Sequence, residues 1–168
     1  MVVRQRVFLI LMLVWMAVIF AFSCRTGVES TGDSYQIGMT VGRLVVPAFH
    51  NLPSEEQLAF AERVDHPVRK TAHALEYAVL GAFAAGWIYD EKRRRGKNIL
   101  WAWLVSAVYA ATDEIHQLFV PGRSGQLTDV LLDSAGALAG VLFMAGILYL
   151  IRRGRSSRDS EAARIAGK

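Results

Sequence analysis

Four long apolar runs separated by charged clusters constrain this chain more than any other feature. The first begins behind Arg4 and Arg6 and covers about 7–24, and the others cover about 70–89, 99–120 and 127–151. Each of the last three has the ~20 residues that a helix rising ~1.5 Å per residue needs to cross a hydrocarbon layer. Hydrophobic residues make up 53% of the 168, more than an ordinary soluble domain carries. The expected fold is therefore all-α: a polytopic membrane protein with four transmembrane helices in one domain over 1–152, followed by a cytoplasmic polar tail at 153–168.

Basic residues near helix ends stay in the cytoplasm, so their distribution sets orientation. Of the nineteen Lys and Arg, two precede the first run, five lie in the 90–97 connection and six lie from Arg152 onward. These three segments alternate as an even-numbered bundle requires, which predicts a multi-pass cell-membrane protein with both termini cytoplasmic. The net charge of +4 then needs no nucleic-acid partner, since the basic residues act as orientation signals and as contacts to membrane lipid.

Cys24 is the single cysteine and excludes an intrachain disulfide. AFSC also has the look of a lipoprotein signal, but Phe22 is bulky for the position two before the cysteine, and an uncleaved first helix is expected. Between the first two spans, RTGVESTGDS reads as turn-like. YQIGMTVGRLVVPAFH spaces Ile37, Val41, Leu44, Val45 and Phe49 as an interfacial amphipathic helix. A short helix is expected to start near Ser54 and end before Pro67.

The polar residues fall at one end of the spans. Lys70, His73 and Tyr77 share a stripe of the second helix with Glu76 at its edge. Asp113, His116 and Gln117 share a stripe of the third, with Glu114 one step round. The fourth, after the PGRSGQ turn that carries Arg123, lines up Asp129, Asp133, Gly136 and Gly140, acidic above and small below as close helix packing demands. All three clusters converge on the outer face. A carboxylate in hydrocarbon costs at least ~2.5 kcal/mol, so these groups are expected to face one another around a wet cavity. A purely structural alternative has Lys70 and Arg123 pairing with carboxylates and pinning the helix ends. Tyr77 reads as an interfacial aromatic, Trp87, Trp101 and Trp103 as an inner belt, and His50 and His66 as loop residues.

RKTAHALEYAVLG and DEIHQLFVPGRSGQLTDVLLDSAGALAG closely resemble the VanZ-like family of bacterial membrane proteins, whose namesake is associated with resistance to the lipoglycopeptide antibiotic teicoplanin. IFAFSCRTG is similar to that family's aromatic and serine signature after the first helix. The resemblance implies a four-helix membrane protein with Lys70, His73, Glu76, Asp113, Glu114, Gln117, Arg123, Asp129 and Gly136 at motif positions. His116 is typical of only some members, and many carry Asn near the place of Asp133.

Two functions follow as expectations. In the first, the outer cavity binds a lipid headgroup, a lipid-linked cell-wall precursor or a lipoglycopeptide, with Arg123 and Lys70 holding its anion and aromatics its chains. In the second, His73, Asp113, His116, Asp129 and Asp133 hold a divalent metal for lipid phosphate chemistry. Gly125, Asp129 and Asp133 reproduce the GxxxDxxxD end of the lipid-alcohol phosphotransferase signature, but the DxxDGxxAR half is absent, as is the SGH element of lipid phosphatases. A proton-coupled transporter would need polar residues continuing to the inner face, where the helices are apolar.

Overall fold

The computed structural model describes residues 3–166, with side chains through Arg158 except Ser156. Five helices form it: α1 (Val3–Ser23), α2 (Gly27–Val45), α3 (Ser54–Ile88), α4 (Arg95–Gln117) and α5 (Leu127–Ala166), with a 3-10 turn at Phe49–Asn51. No strand occurs among the described residues. By length and composition, two stretches are able to cross a membrane unaided, Val3–Ser23 and Leu127–Arg155.

Three boundaries differ from expectation. The supposed turn after Cys24 is already helical, because Thr26 and Glu29 close a capping box. The Thr26 amide donates to Glu29 Oε2 at 2.8 Å and the Glu29 amide to Thr26 Oγ1 at 3.3 Å, so two of the helix's orphan amides are satisfied. The hydrogen bonds from the Thr26 backbone and hydroxyl hold the Glu29 carboxyl below its ordinary pKa. Its contribution to the cap is complete at neutral pH and is lost as pH falls through that depressed value. Thr26→Ala is expected to cost about 1 kcal/mol at this end, seen as several-fold faster amide exchange over residues 27–30 with the rest of the chain unchanged.

The second difference is α3, which does not stop before Pro67 but runs through it for 35 residues. A proline within a helix forgoes one backbone hydrogen bond and crowds the preceding turn. Packing of α3 against α2, and more extensively against α5, holds the helix together across that defect. Third, α5 continues past Ile151 to Ala166 instead of ending where the polar tail begins. SSRDSEAARIA contains no proline, and its Ala, Glu and Arg are good helix formers. Residues 167 and 168 of the expected tail lie outside the described residues.

The core is built from small side chains interleaved with a few large ones: Ile19 of α1, Tyr77, Leu80 and Ala84 of α3, Ala102 and Ala110 of α4, and Ala137 and Val141 of α5. Small residues set the α3–α5 spacing. A Cβ at Gly136 would collide with the Ala74 carbonyl oxygen, one at Gly140 with that of Ala78, and one at Gly81 with that of Ala137. The two backbones therefore interlock, which is how helices associate where no hydrophobic force separates them from lipid. Tyr77, expected at an interface, is instead fully buried in this core with its ring 6.3 Å from that of Tyr109. Trp103 is likewise turned inward, its indole donating to the Ser134 carbonyl at 3.0 Å, while Trp101 stays exposed.

Candidate functional site

At one end of the bundle the α1–α2 corner meets the α4–α5 turn. Gly27 donates its amide to the Pro121 carbonyl at 3.0 Å, and a Cβ at Gly27 would collide with the Gly122 carbonyl. Gly122 adopts a positive φ of 73°, a conformation glycine takes without strain. This close approach turns Arg123 inward, where its Nη1 donates to Ser30 Oγ of α2 at 2.9 Å. Among the described residues its guanidinium makes no ion pair and no other hydrogen bond, while its backbone amide donates to the Val120 carbonyl at 3.1 Å. Burial first, then the neighbouring Arg69, pull the guanidinium below its ordinary pKa, and Asp113, Glu114 and Glu76 oppose this.

Arg123 stands in the wall between two spaces. One, of about 230 Å³, lies against α2 and is lined by Arg25, Ser30, Asp33, Arg69, His73 and Glu76, with Phe22, Ile37, Val68 and Ala72 as its apolar side. The other, of about 200 Å³, is lined by His66, Arg69, Lys70, His73, Gln117, Gln126 and Asp129. Below them a small void of about 20 Å³ reaches Glu114 and Asp133, room for one or two waters. His66 is therefore part of α3 and of the cavity wall, not a loop residue.

The carboxylates divide by partner. Asp129 pairs with Lys70 and ties α5 to α3, each side chain about 30% exposed. Asp65 pairs with Arg69 at 3.0 Å and accepts from Ser34 Oγ, while Asp33 pairs with Arg25 at 2.5 Å. Glu114 Oε1 accepts the Gln126 amide at 2.7 Å and fixes the start of α5. Asp113 accepts from Gln117 Nε2 at 3.2 Å. Glu76 lies 3.7 Å from His73 Nδ1. Asp113 Oδ1, Asp133 Oδ1, the Tyr77 hydroxyl and His73 Nδ1 are buried without a hydrogen bond of ordinary geometry. Helix-end clamping thus accounts for Asp129 and leaves Asp113 and Asp133 unexplained. A buried polar atom left unpaired costs about 1–3 kcal/mol.

Lys70, His73, Glu76, Glu114, Gln117, Arg123, Asp129 and Asp133 border these connected spaces, and Asp113 lies behind Gln117. His116 is the departure. Its ring packs 4.8 Å from Phe20 and its Nε2 lies 3.4 Å from Cys24 Sγ, so it does not join the others. The expected metal set of His73, Asp113, His116, Asp129 and Asp133 is correspondingly not assembled. Among the described residues no three His, Cys, Asp or Glu side chains stand together as a metal group. Arg25, Ser30, Asp33 and Arg69 were not expected, and Ser30 and Asp33 make α2 a wall of the site. The one signal for it was TGVE, a capping box followed by Ser30, Asp33, Ser34 and Ile37 at helical spacing.

The fold and site define a class: an all-helical membrane protein whose helix ends enclose a charged cavity. The family model VanZ/LLP1 matches residues 8–151, and the chain belongs to that family. No curated protein and no solved structure matches it.

Proposed function

We propose that this VanZ-family protein crosses the cell membrane four times with both termini cytoplasmic, and binds the anionic headgroup of an envelope amphiphile in a cavity at the outer face. The amphiphile is a membrane lipid, a lipid-linked cell-wall precursor or a lipoglycopeptide, which share an anion and an apolar chain. A contribution to envelope function or antibiotic resistance would follow from that binding. The orientation rests on the Lys and Arg pattern of the connections. Exposed Leu75, Leu100, Val108 and Ile115 along α3 and α4 support counting those helices as spans.

One observation carries the binding reading: Arg123 is a half-buried cation with a single neutral partner, placed where two cavities meet and facing a second guanidinium, Arg69. Arg69 and Lys70 already pair with Asp65 and Asp129, so Arg123 is the cation of this wall without an ion pair among the described residues, and its guanidinium presents a fork that matches phosphate or carboxylate. Lys70 and the two imidazoles, His66 and His73, extend the same wall. The metal-dependent alternative has no comparable support, since His116 packs away from Asp129.

The detergent-purified chain is expected to bind phosphatidylglycerol about tenfold more tightly than phosphatidylcholine with the same chains. The preference should shrink as salt rises, because part of the cavity is open to screening. Equal binding of the two lipids at low salt would overturn the reading.

A further inference from the structure

The anion cavity does not end in protein. Its apolar side is made by Ile37, Val68 and Ala72, and the same three residues begin a second space of about 430 Å³ between α2 and α3. That groove continues along Val41, Val64 and Leu75 and is almost wholly apolar. Its shape follows from the packing of α2, whose buried face is Gly38 and Gly42 with Ser34. A Cβ at Gly38 would press on Val64 and on the backbone of Ala61, so the helices touch there through small atoms. Ile37 is left 48% exposed and Leu75 61% exposed beside the groove.

We infer that this groove holds one acyl chain of the molecule whose anion lies against Arg123, so that the site takes a membrane amphiphile and not a soluble anion. The inference rests on the headgroup reading above and adds where the chain goes: between α2 and α3, not among the aromatics of the bundle. Continuity is the reason for choosing a lipid chain as the occupant. A cationic cavity and an apolar groove joined through three shared residues match the two halves of one anionic lipid, and the groove's volume falls in the ~300–1,000 Å³ range of ligand pockets. Ala72 borders both spaces and is small, which leaves the passage between them open.

The test uses the full chain in detergent with dioleoyl phosphatidylglycerol and its soluble dihexanoyl analogue as probes. Val41→Phe, which lines the groove and not the anion cavity, is expected to weaken the dioleoyl lipid by about tenfold, the scale of a few methylenes denied burial, and to leave the dihexanoyl lipid unchanged. Equal binding of the dioleoyl lipid by wild type and a folded Val41→Phe would overturn the inference. A second measurement does not depend on that variant. Phosphatidylglycerol with a photoreactive diazirine in its acyl chain should crosslink wild type mainly at Ile37, Val41, Val64, Val68 and Leu75. Crosslinks spread evenly over the exposed apolar residues of α1 and α5 would contradict it. Failure of the headgroup reading has its own signature, which is wild type binding dihexanoyl phosphatidylglycerol no better than dihexanoyl phosphatidylcholine.

Discussion

Gly140→Leu is expected to leave little or no folded protein, because the group it would push against is backbone. Even a Cβ at this position meets the Ala78 carbonyl oxygen, and the same collision recurs one turn away between Gly136 and Ala74 and in reverse between Gly81 and Ala137. No rotamer change relieves three interlocked contacts, so the helices must separate by the width of a side chain. Overpacking typically costs about 1–3 kcal/mol where side chains adjust, and more where they have no room. Separation also pulls Asp129 from Lys70 and opens Asp133, which is 2% exposed, to lipid. Leu138→Ala is the control, since Leu138 is 36% exposed and faces away. Membrane-fraction protein amount and the elution profile after heating should collapse for Gly140→Leu and stay near wild type for Leu138→Ala. Equal amounts of monodisperse protein for both would contradict the packing.

Arg123→Gln is expected to weaken binding of a phosphate-headed lipid by about 30-fold or more, the loss of roughly 2 kcal/mol that a desolvated charge-assisted pair supplies. The substitution keeps a polar side chain but removes the charge and the fork. It also removes the repulsion with Arg69 that helps depress the Arg123 pKa. Thermal stability should therefore be unchanged or slightly higher, because a half-buried cation without an ion pair is a cost to the fold. Arg123→Lys restores charge without the planar fork and should recover only part of the affinity. Isothermal titration and a melting curve on the same preparations read both quantities. Loss of binding matched by an equal loss of folded protein would make Arg123 a structural clamp.

Much of this arrangement was legible in the chain. Periods of 3.6 residues placed Asp129, Asp133, Gly136 and Gly140 on one line and Lys70, His73 and Glu76 at the edge of the same space, because a helix fixes side-chain direction by number alone. What was not legible depended on contacts between distant segments. Pro67 is a local stop signal, and only packing against α2 and α5 carries the helix through it. Tyr77 has the amphipathic side chain of an interface, yet its neighbours across the bundle bury it. His116 shares a stripe with Asp113 and Gln117, but Phe20 of α1 and Cys24 just after it occupy its side of the helix, and no spacing within α4 reports that. The role of α2 was hidden by RTGVESTGDS, whose Gly, Ser and Asp have loop composition. Three of those residues, Gly27, Ser30 and Asp33, are where α2 meets the Gly122 turn, Arg123 and Arg25.

That the polar helix ends form one cavity open to the outside is tested most directly by labelling intact cells with a membrane-impermeant maleimide. The chain would carry Cys24→Ser, which removes the only thiol, together with either Ser124→Cys beside the cavity mouth or Gly96→Cys in the basic connection. Both positions are exposed, and a Cβ at Gly96 meets nothing within 4 Å. The predicted result is Ser124→Cys labelled in intact cells and Gly96→Cys labelled only after permeabilisation. Labelling of Ser124→Cys that requires permeabilisation, or the same behaviour at both sites, would contradict an outward-facing cavity.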